Sequence, residues 1–381
     1  MRRVRRYSVS GRSIVSIVDP LLEFPLDTQP DPDEFLRAAL RWHFSPETGS
    51  PFWLERAGTL GFDPLSDIGG FADLGKFPNL ANELRHVRAE DLIPRGYGEK
   101  PEVVGVYESG GTTGAPKRIV LLREWLDRLL AWSSAQLDRH GVPQDVNWLV
   151  VAPTGPHMVG DVIKRQTAFR GGLAFTVDLD PRWVKKLISD GKGAEAGAYA
   201  EHIVDQVAFL LQTQDIGVLM CTPPVLERLA RRDDLAKLID EKVKAINWVG
   251  TQMDADTRYL YRTEVFPKAH LYSGYGSTMI LGNASERPGL SDDDPCIYDP
   301  FSPHMIFDVV DPETRETVPY GERGQVVMHH ISKSLFMPNN LERDYATRVP
   351  GPEGVWQLGD SVADIAPVQE FDNETVIEGV Y

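Results

Sequence analysis

Ser109-Gly-Gly-Thr-Thr-Gly-Ala-Pro-Lys117 follows an apolar run at 103–107 and precedes 121–140. In that second stretch Leu122, Leu126, Leu130 and Leu137 recur at helical spacing, with Trp125 and Leu129 alongside. The expected order is strand, glycine turn, helix. A run of this kind lets backbone N–H groups point at an anion, with the hydroxyls of Ser109, Thr112 and Thr113 as further donors and Lys117 as counter-charge. A connection that only turns the chain needs neither three hydroxyls nor a closing Pro-Lys, so phosphate binding is expected. The spacing is not that of a Walker A loop. Gly70-Phe-Ala-Asp-Leu-Gly75-Lys76 has that spacing, but Phe77 replaces the Ser or Thr that would reach a metal, and no convincing strand precedes it.

Outward from the loop, short apolar runs alternate with helical patterns. Strands are expected at 148–152, 173–177, 216–221, 245–249 and 270–273, and helices at 162–169, 200–212, 223–231 and 254–266, the last capped by Asp254. This alternation implies largely parallel sheets covered on both faces. Residues 1–100 are rich in Pro, Asp and Leu, with a helical pattern at 32–42, and read as an irregular, mostly helical opening segment. Residues 101–294 form the αβ core, and 295–381 a smaller β-rich subdomain with strands at 305–310, 324–330 and 361–367. The low-complexity piece 191–198, Gly-Lys-Gly-Ala-Glu-Ala-Gly-Ala, is expected to be a mobile surface loop.

The 381 residues carry 40 Lys and Arg against 56 Asp and Glu, a formal charge of −16, which argues against wrapping a nucleic acid. Cys221 and Cys296 are too few for a disulfide scaffold or a CxxC unit, and fit a reducing, cytoplasmic setting. The basic N-terminus, Met1-Arg-Arg-Val-Arg-Arg6, is expected to be retained, because the apolar stretch at 14–18 is short and Asp19 interrupts it. No apolar stretch approaches the ~20 residues of a membrane helix.

Further motifs carry a resemblance. Ser109–Lys117 resembles the phosphate loop of the adenylate-forming superfamily of acyl- and aryl-CoA synthetases, nonribosomal-peptide adenylation domains and luciferases. In the family's order follow Pro153-Thr-Gly-Pro-His157-Met-Val-Gly160, Gly250-Thr-Gln252, Tyr272-Ser-Gly-Tyr275-Gly276-Ser-Thr278, Gly321-Glu-Arg-Gly-Gln-Val-Val327 and Trp356-Gln-Leu-Gly359-Asp360. The opening motifs at 62–68 and 71–78 look like those of phenylacetate-CoA ligases and of adenylating proteins of phenazine antibiotic pathways. The resemblance implies the large α/β N-terminal domain of that fold, with stacked αβα sheets and a small β subdomain. It also implies ATP and Mg²⁺ as cofactors and an aryl acid as substrate. The acyl group would pass to a separate acceptor enzyme, amine, CoA or carrier protein, and a homodimer is possible.

By the same resemblance Ser109, Gly110, Gly111, Thr112, Thr113, Gly114 and Lys117 hold the β- and γ-phosphates and Thr278 the α-phosphate. Asp360 holds the ribose, Gly250, Thr251, Tyr275 and Gly276 flank the nucleotide, and His157, Gly250 and Tyr275 border the acid. Lys117, Thr278 and His157 are the catalytic candidates. Three departures stand against this. Met279 replaces the family's magnesium-binding glutamate, with Glu108 or Glu286 as possible substitutes; no arginine follows Arg348; and the chain stops at Tyr381, before the hinge and the small C-terminal lid domain. Expected alternatives are an aryl-CoA ligase, adenylation of nitrite as in diazotising relatives, and a nucleotide-binding scaffold without turnover.

The remaining candidates read as structural. His329 and His330 are adjacent in a strand and so point to opposite faces. Cys221 is expected to be a buried thiol without a base, Trp125 and Trp132 core residues, and Lys185-Lys186 a solvated face.

Overall fold

The computed structural model describes residues 3–9, 12–109, 115–291, 294–367, 370–371 and 374–375, with side chains from residue 19 to residue 367 within those ranges. The chain opens with an antiparallel pair, β1 (Arg3–Val9) and β2 (Arg12–Val18). Helices α1 (Pro32–Phe44) and α2 (Pro51–Ala57) follow, each begun by a capping side chain and a proline: Asp31 accepts from the Glu34 N–H and Ser50 from the Trp53 N–H. Four short 3₁₀ turns lie between residues 71 and 97. The opening segment thus carries a strand pair in front of its helices and short turns after them. Phe44, Trp53 and Phe77 pack edge-on or stacked around Phe336, and Trp53 Nε1 donates to the Phe336 carbonyl at 2.8 Å. Those rings fix the opening segment to the rest of the molecule.

β3 (Val103–Ser109) and β4 (Lys117–Leu122) pair antiparallel, with Ser109 opposite Lys117. The expected strand–turn–helix is thus a β-hairpin whose second strand leads into α3 (Arg123–Arg139). Ile119-Val-Leu-Leu122 is apolar and partly β-branched and is buried, so it pairs with β3 before the helical pattern begins. Residues 110–114, the glycine-rich centre of the motif, lie outside the described residues.

The core follows as β5 (Trp148–Val151), α4 (Met158–Phe169), β6 (Ala174–Val177), α5 (Pro181–Ser189), α6 (Gly193–Thr213), β7 (Val218–Cys221), α7 (Pro223–Ala230), α8 (Asp233–Lys242), β8 (Ala245–Trp248), α9 (Ala255–Leu260) and β9 (His270–Ser277). Asp254 caps α9 as expected. Residues 193–198, expected as a mobile loop, open α6: three alanines and Glu195 favour helix enough to carry Gly197. The last segment adds β10 (Gly282–Glu286), β11 (Ile297–Asp299), β12 (Met305–Val310), β13 (Arg323–Ile331), β14 (Phe336–Val349) and β15 (Ser361–Pro367).

One eleven-stranded sheet runs β12-β13-β14-β15-β11-β10-β9-β8-β7-β5-β6. From β9 to β6 the strands are parallel, and from β9 through β10 to β12 neighbours are antiparallel. β5, β7 and β8 are buried along their whole length, as coverage of both faces requires. One face, with Leu149, Leu219 and Ile246, packs in the same core as Val207 of α6, Leu226 of α7 and Ile239 of α8. The other, with Val150, Met220 and Tyr272, packs against Leu137 of α3 and Val159 and Ile163 of α4. β5 leads to β6 on one side and the chain then returns to β7 on the other, so strand order reverses between β5 and β7. In such sheets a ligand crevice is expected outside the strands' carboxyl ends at that reversal.

Candidate functional site

A cavity of about 290 Å³ lies beside that reversal. Ala152 and Pro153 after β5, Thr222 after β7 and Gly250 after β8 contribute to its wall, as do Gly274, Gly276 and Thr278 at the end of β9. Trp132 of α3, Met158 and Val162 of α4 and Met220 make it largely apolar. Trp132, expected in the core, is half-buried and stacks on Phe301 at 4.7 Å between ring centres, so it walls the cavity instead. Trp125 is the core residue of the two, its indole N–H donating to the Leu281 carbonyl at 2.7 Å.

Gly276 cannot be exchanged without moving backbone: a Cβ there would stand 2.3 Å from the Gly282 carbonyl oxygen across the β9–β10 pair. This close approach sets Ser277 and Thr278 at the start of a 3₁₀ turn (Thr278–Ile280), against which the β3–β4 hairpin and β14 pack. The candidate phosphate hairpin and the Tyr-Gly-x-Thr segment, distant in sequence, therefore meet at the cavity edge. Lys117 is within electrostatic reach of Glu342 on β14. Burial pushes the Glu342 carboxyl above its usual value and neighbouring Asp344 adds to it, while hydrogen bonds from Ser277 and Asn340, then Lys117, oppose this. Burial raises Asp344 as well, against a hydrogen bond that the Tyr275 hydroxyl donates to it at 2.9 Å. Sequence reading missed both carboxylates; Glu342-Arg343-Asp344 gives no motif, only charge within a long strand.

His157 caps α4 without a side-chain bond and is half-buried; burial, then Arg182, lowers its pKa, so at neutral pH it is an uncharged imidazole. It is not among the cavity's lining residues, whereas its neighbour Met158 is. Thr251 lies on the loop after β8, also outside the lining. Tyr275 packs edge-on to Phe307 with ring centres 5.9 Å apart. Asp360 stands just before β15, its N–H donating to the Phe307 carbonyl at 2.8 Å and its carboxylate accepting from Arg348 Nε at 2.7 Å. A Cβ on Gly359, whose φ is +74°, would meet Ile306 Cγ2 at 2.3 Å, so glycine is required beside this aspartate.

Neither proposed substitute for the metal-binding glutamate is free. Burial pushes Glu108 up, but Arg182 at 2.8 Å and Arg118 at 3.1 Å take its two oxygens and hold it low. Glu286, 5% exposed, accepts from the Ser273 N–H and hydroxyl at 2.8 Å each. Met279 is 3% exposed and packs in the core. Among the described residues no three His, Cys, Asp or Glu side chains converge to hold a metal.

Lys186 is exposed as expected, whereas Lys185 is partly buried near Arg343 and its ammonium pKa falls, first through burial. His329 and His330 do face apart, His329 toward Asp308 at 3.0 Å and His330 toward the Ile280 carbonyl. Burial pushes the Cys221 thiol up to about 12, which leaves it protonated. No helix among the described residues is long and apolar enough to cross a membrane.

Solved structures of 2-hydroxyisobutyryl-CoA ligase share this fold. Its open conformation, in complex with 2-HIB-AMP and CoA, matches with a TM-score of 0.64 at 16% identity, over 92% of this chain and 76% of that one. Its postadenylation state with R3-HIB-AMP gives 0.59 at 15% identity, over 87% and 70%. The thioesterification state with 2-HIB-AMP and CoA gives 0.60 at 15%, over 87% and 70%. No protein-family model matches the chain, and no curated protein matches it. The likeness establishes the fold: the expected α/β architecture is observed and is shared with that ligase.

Proposed function

We propose that this protein activates a carboxylic acid with ATP, forming an acyl-adenylate and releasing pyrophosphate. The observation that carries this reading is the apolar cavity opening at Gly250, Gly276 and Thr278, where the Lys117 hairpin packs. An acid seated there presents its carboxylate beside the segment assigned to the α-phosphate. A carboxylate oxygen attacks the α-phosphorus, the bond to the bridging oxygen of the β-phosphate breaks, and pyrophosphate leaves with the electron pair. Such chemistry rests on positioning and charge neutralisation. Ser109–Lys117 holds the β- and γ-phosphates, Thr278 the α-phosphate and Asp360 the ribose. Gly250, Thr251, Tyr275 and Gly276 flank the nucleotide, and neutral His157 precedes the cavity-lining Met158.

The flat walls given by Trp132, Trp148 and Tyr272 favour an aryl or heteroaryl acid, the type used in phenazine-like antibiotic assembly. CoA is the first acceptor to test, because the ligase of like fold binds it. The described residues do not form a cage for Mg²⁺, so no step is assigned to a protein-held ion. The buried Met279 favours one second reading, a nucleotide-binding protein without turnover. Incubation with ATP, hydroxylamine and a panel of aryl acids separates the two. Hydroxamate and AMP formed together support activation; ATP binding without hydroxamate from any acid supports the second reading.

A further inference from the structure

Residues that line the apolar cavity carry buried polar atoms with no partner among the described residues. Gln166 is 2% exposed, lines the cavity, and has no hydrogen-bond partner for either Oε1 or Nε2. The Trp148 indole N–H and Asn247 Oδ1, at 1% and 8% exposure, line the same cavity and are also unpartnered. The Tyr272 hydroxyl has the Asn247 amide beside it but no bond of good geometry. Burial pushes the Tyr272 phenol well up, so it is a donor at every physiological pH. Buried polar groups are nearly always bonded, and four residues with orphaned atoms around one cavity call for a ligand.

Their positions follow from the sheet register. Asn247 pairs with Tyr272, and Met220 with Asn247, so these side chains form one row across the face. Trp148 belongs to the next row toward the amino ends, with Val218 and Ala245. Gly250 lies beyond the carboxyl end of β8, so each row back is about 6.6 Å deeper. α4 runs back along the sheet from Met158 near the mouth, and Gln166 is eight residues, about 12 Å, further along it. Gln166 and Trp148 therefore close the deep end, with Asn247 and Tyr272 between them and the mouth.

Among the described residues no charged side chain lines the cavity. The deep end offers only neutral donors and an amide that both gives and accepts. Resting on the adenylation reading above, we propose that Gln166, with Trp148, Asn247 and Tyr272, selects an acid carrying a neutral hydrogen-bonding group at the end remote from its carboxylate. A carboxamide or hydroxyl on an aryl body fits; a purely hydrocarbon tail or a second charge does not. Water in the cavity can serve these groups, and an acid that displaces it must replace its bonds or leave them unpaired. A second charge is disfavoured because nothing there neutralises it.

The test uses trans-cinnamate and its para-carbamoyl, para-hydroxymethyl, para-carboxylate and para-aminomethyl derivatives, read by calorimetric binding and by acid-dependent ATP–pyrophosphate exchange. The carbamoyl or hydroxymethyl acid should exceed cinnamate by about tenfold or more in affinity and in kcat/KM. Gln166→Leu, close in volume, should abolish that preference, and Tyr272→Phe, losing only a hydroxyl, should weaken it. Equal or better use of cinnamate, a preference for a charged derivative, a preference that survives in folded Gln166→Leu, or no binding of any acid overturns the inference. Preferential binding without exchange leaves it standing and removes the adenylation reading instead; exchange led by cinnamate does the reverse.

Discussion

Arg348 Nε donates to Asp360 Oδ2 at 2.7 Å, tying β14 to the turn before β15 and aiming the candidate ribose ligand. The Asp360 side chain is 5% exposed and that of Arg348 20%. Burial nonetheless raises the Asp360 carboxyl above its usual value. Arg348→Met should cost about 3 kcal/mol by leaving a buried charge unpaired. A carboxyl raised in the fold adds stability below its unfolded pKa and loses it as pH rises through the folded one, and the substitution raises Asp360 further. Urea unfolding should therefore show a larger deficit at pH 7 than at pH 4; an equal deficit contradicts the pairing.

Three buried histidines set the acid limb of stability. Burial holds His43 at about 4, His330 at about 3 and His304 well below its usual value. Because these values are lowered, the unfolded chain takes protons first, and stability falls as pH drops from about 6.5 toward 4. His43 alone contributes on the order of 3 kcal/mol over the full range, and raised carboxyls such as Glu342 partly offset the trend. The urea midpoint should be lower at pH 5 than at pH 7, with a smaller difference in His330→Gln. An unchanged slope in that variant contradicts the assignment.

Met279→Glu introduces the glutamate that the resemblance of the Tyr275–Thr278 motif leads one to expect, but places a carboxylate where the side chain is 3% exposed and packed in the core. The variant should lose several kcal/mol of stability, of order 3, and gain no magnesium dependence of exchange. A stable variant that saturates at lower magnesium would show that position 279 reaches the ion.

The alternation of strands and helices was legible because each apolar run is short and each helix carries its own cap or period, as at Asp254 and Pro223. The hairpin around Lys117 was not, since Lys117–Leu122 runs into the helical spacing of α3 and only pairing with β3 separates them. Only the folded chain packs the Lys117 hairpin against the turn that begins at Thr278. Sequence reading missed the side chains that tertiary packing alone selects. Glu342 and Asp344 are carried by a long strand, and Gln166 looks like one polar residue in a helix until Trp148 and Asn247, from strands, join it around one cavity.

Lys117→Ala should raise the KM for ATP by about tenfold or more, the loss of one contact to a charged group. Its side chain lies at the hairpin edge, outside the core, so the melting temperature should shift little. A wild-type KM in a folded variant removes Lys117 from the phosphate site.

The central claim is acid activation, and it is tested most directly by exchange of labelled pyrophosphate into ATP in the presence of an acid. The account predicts exchange that depends on the acid, saturates with it, and falls about tenfold or more in Lys117→Ala and Thr278→Val. Nucleotide binding with no acid-dependent exchange across aryl, heteroaryl and aliphatic carboxylates would contradict it.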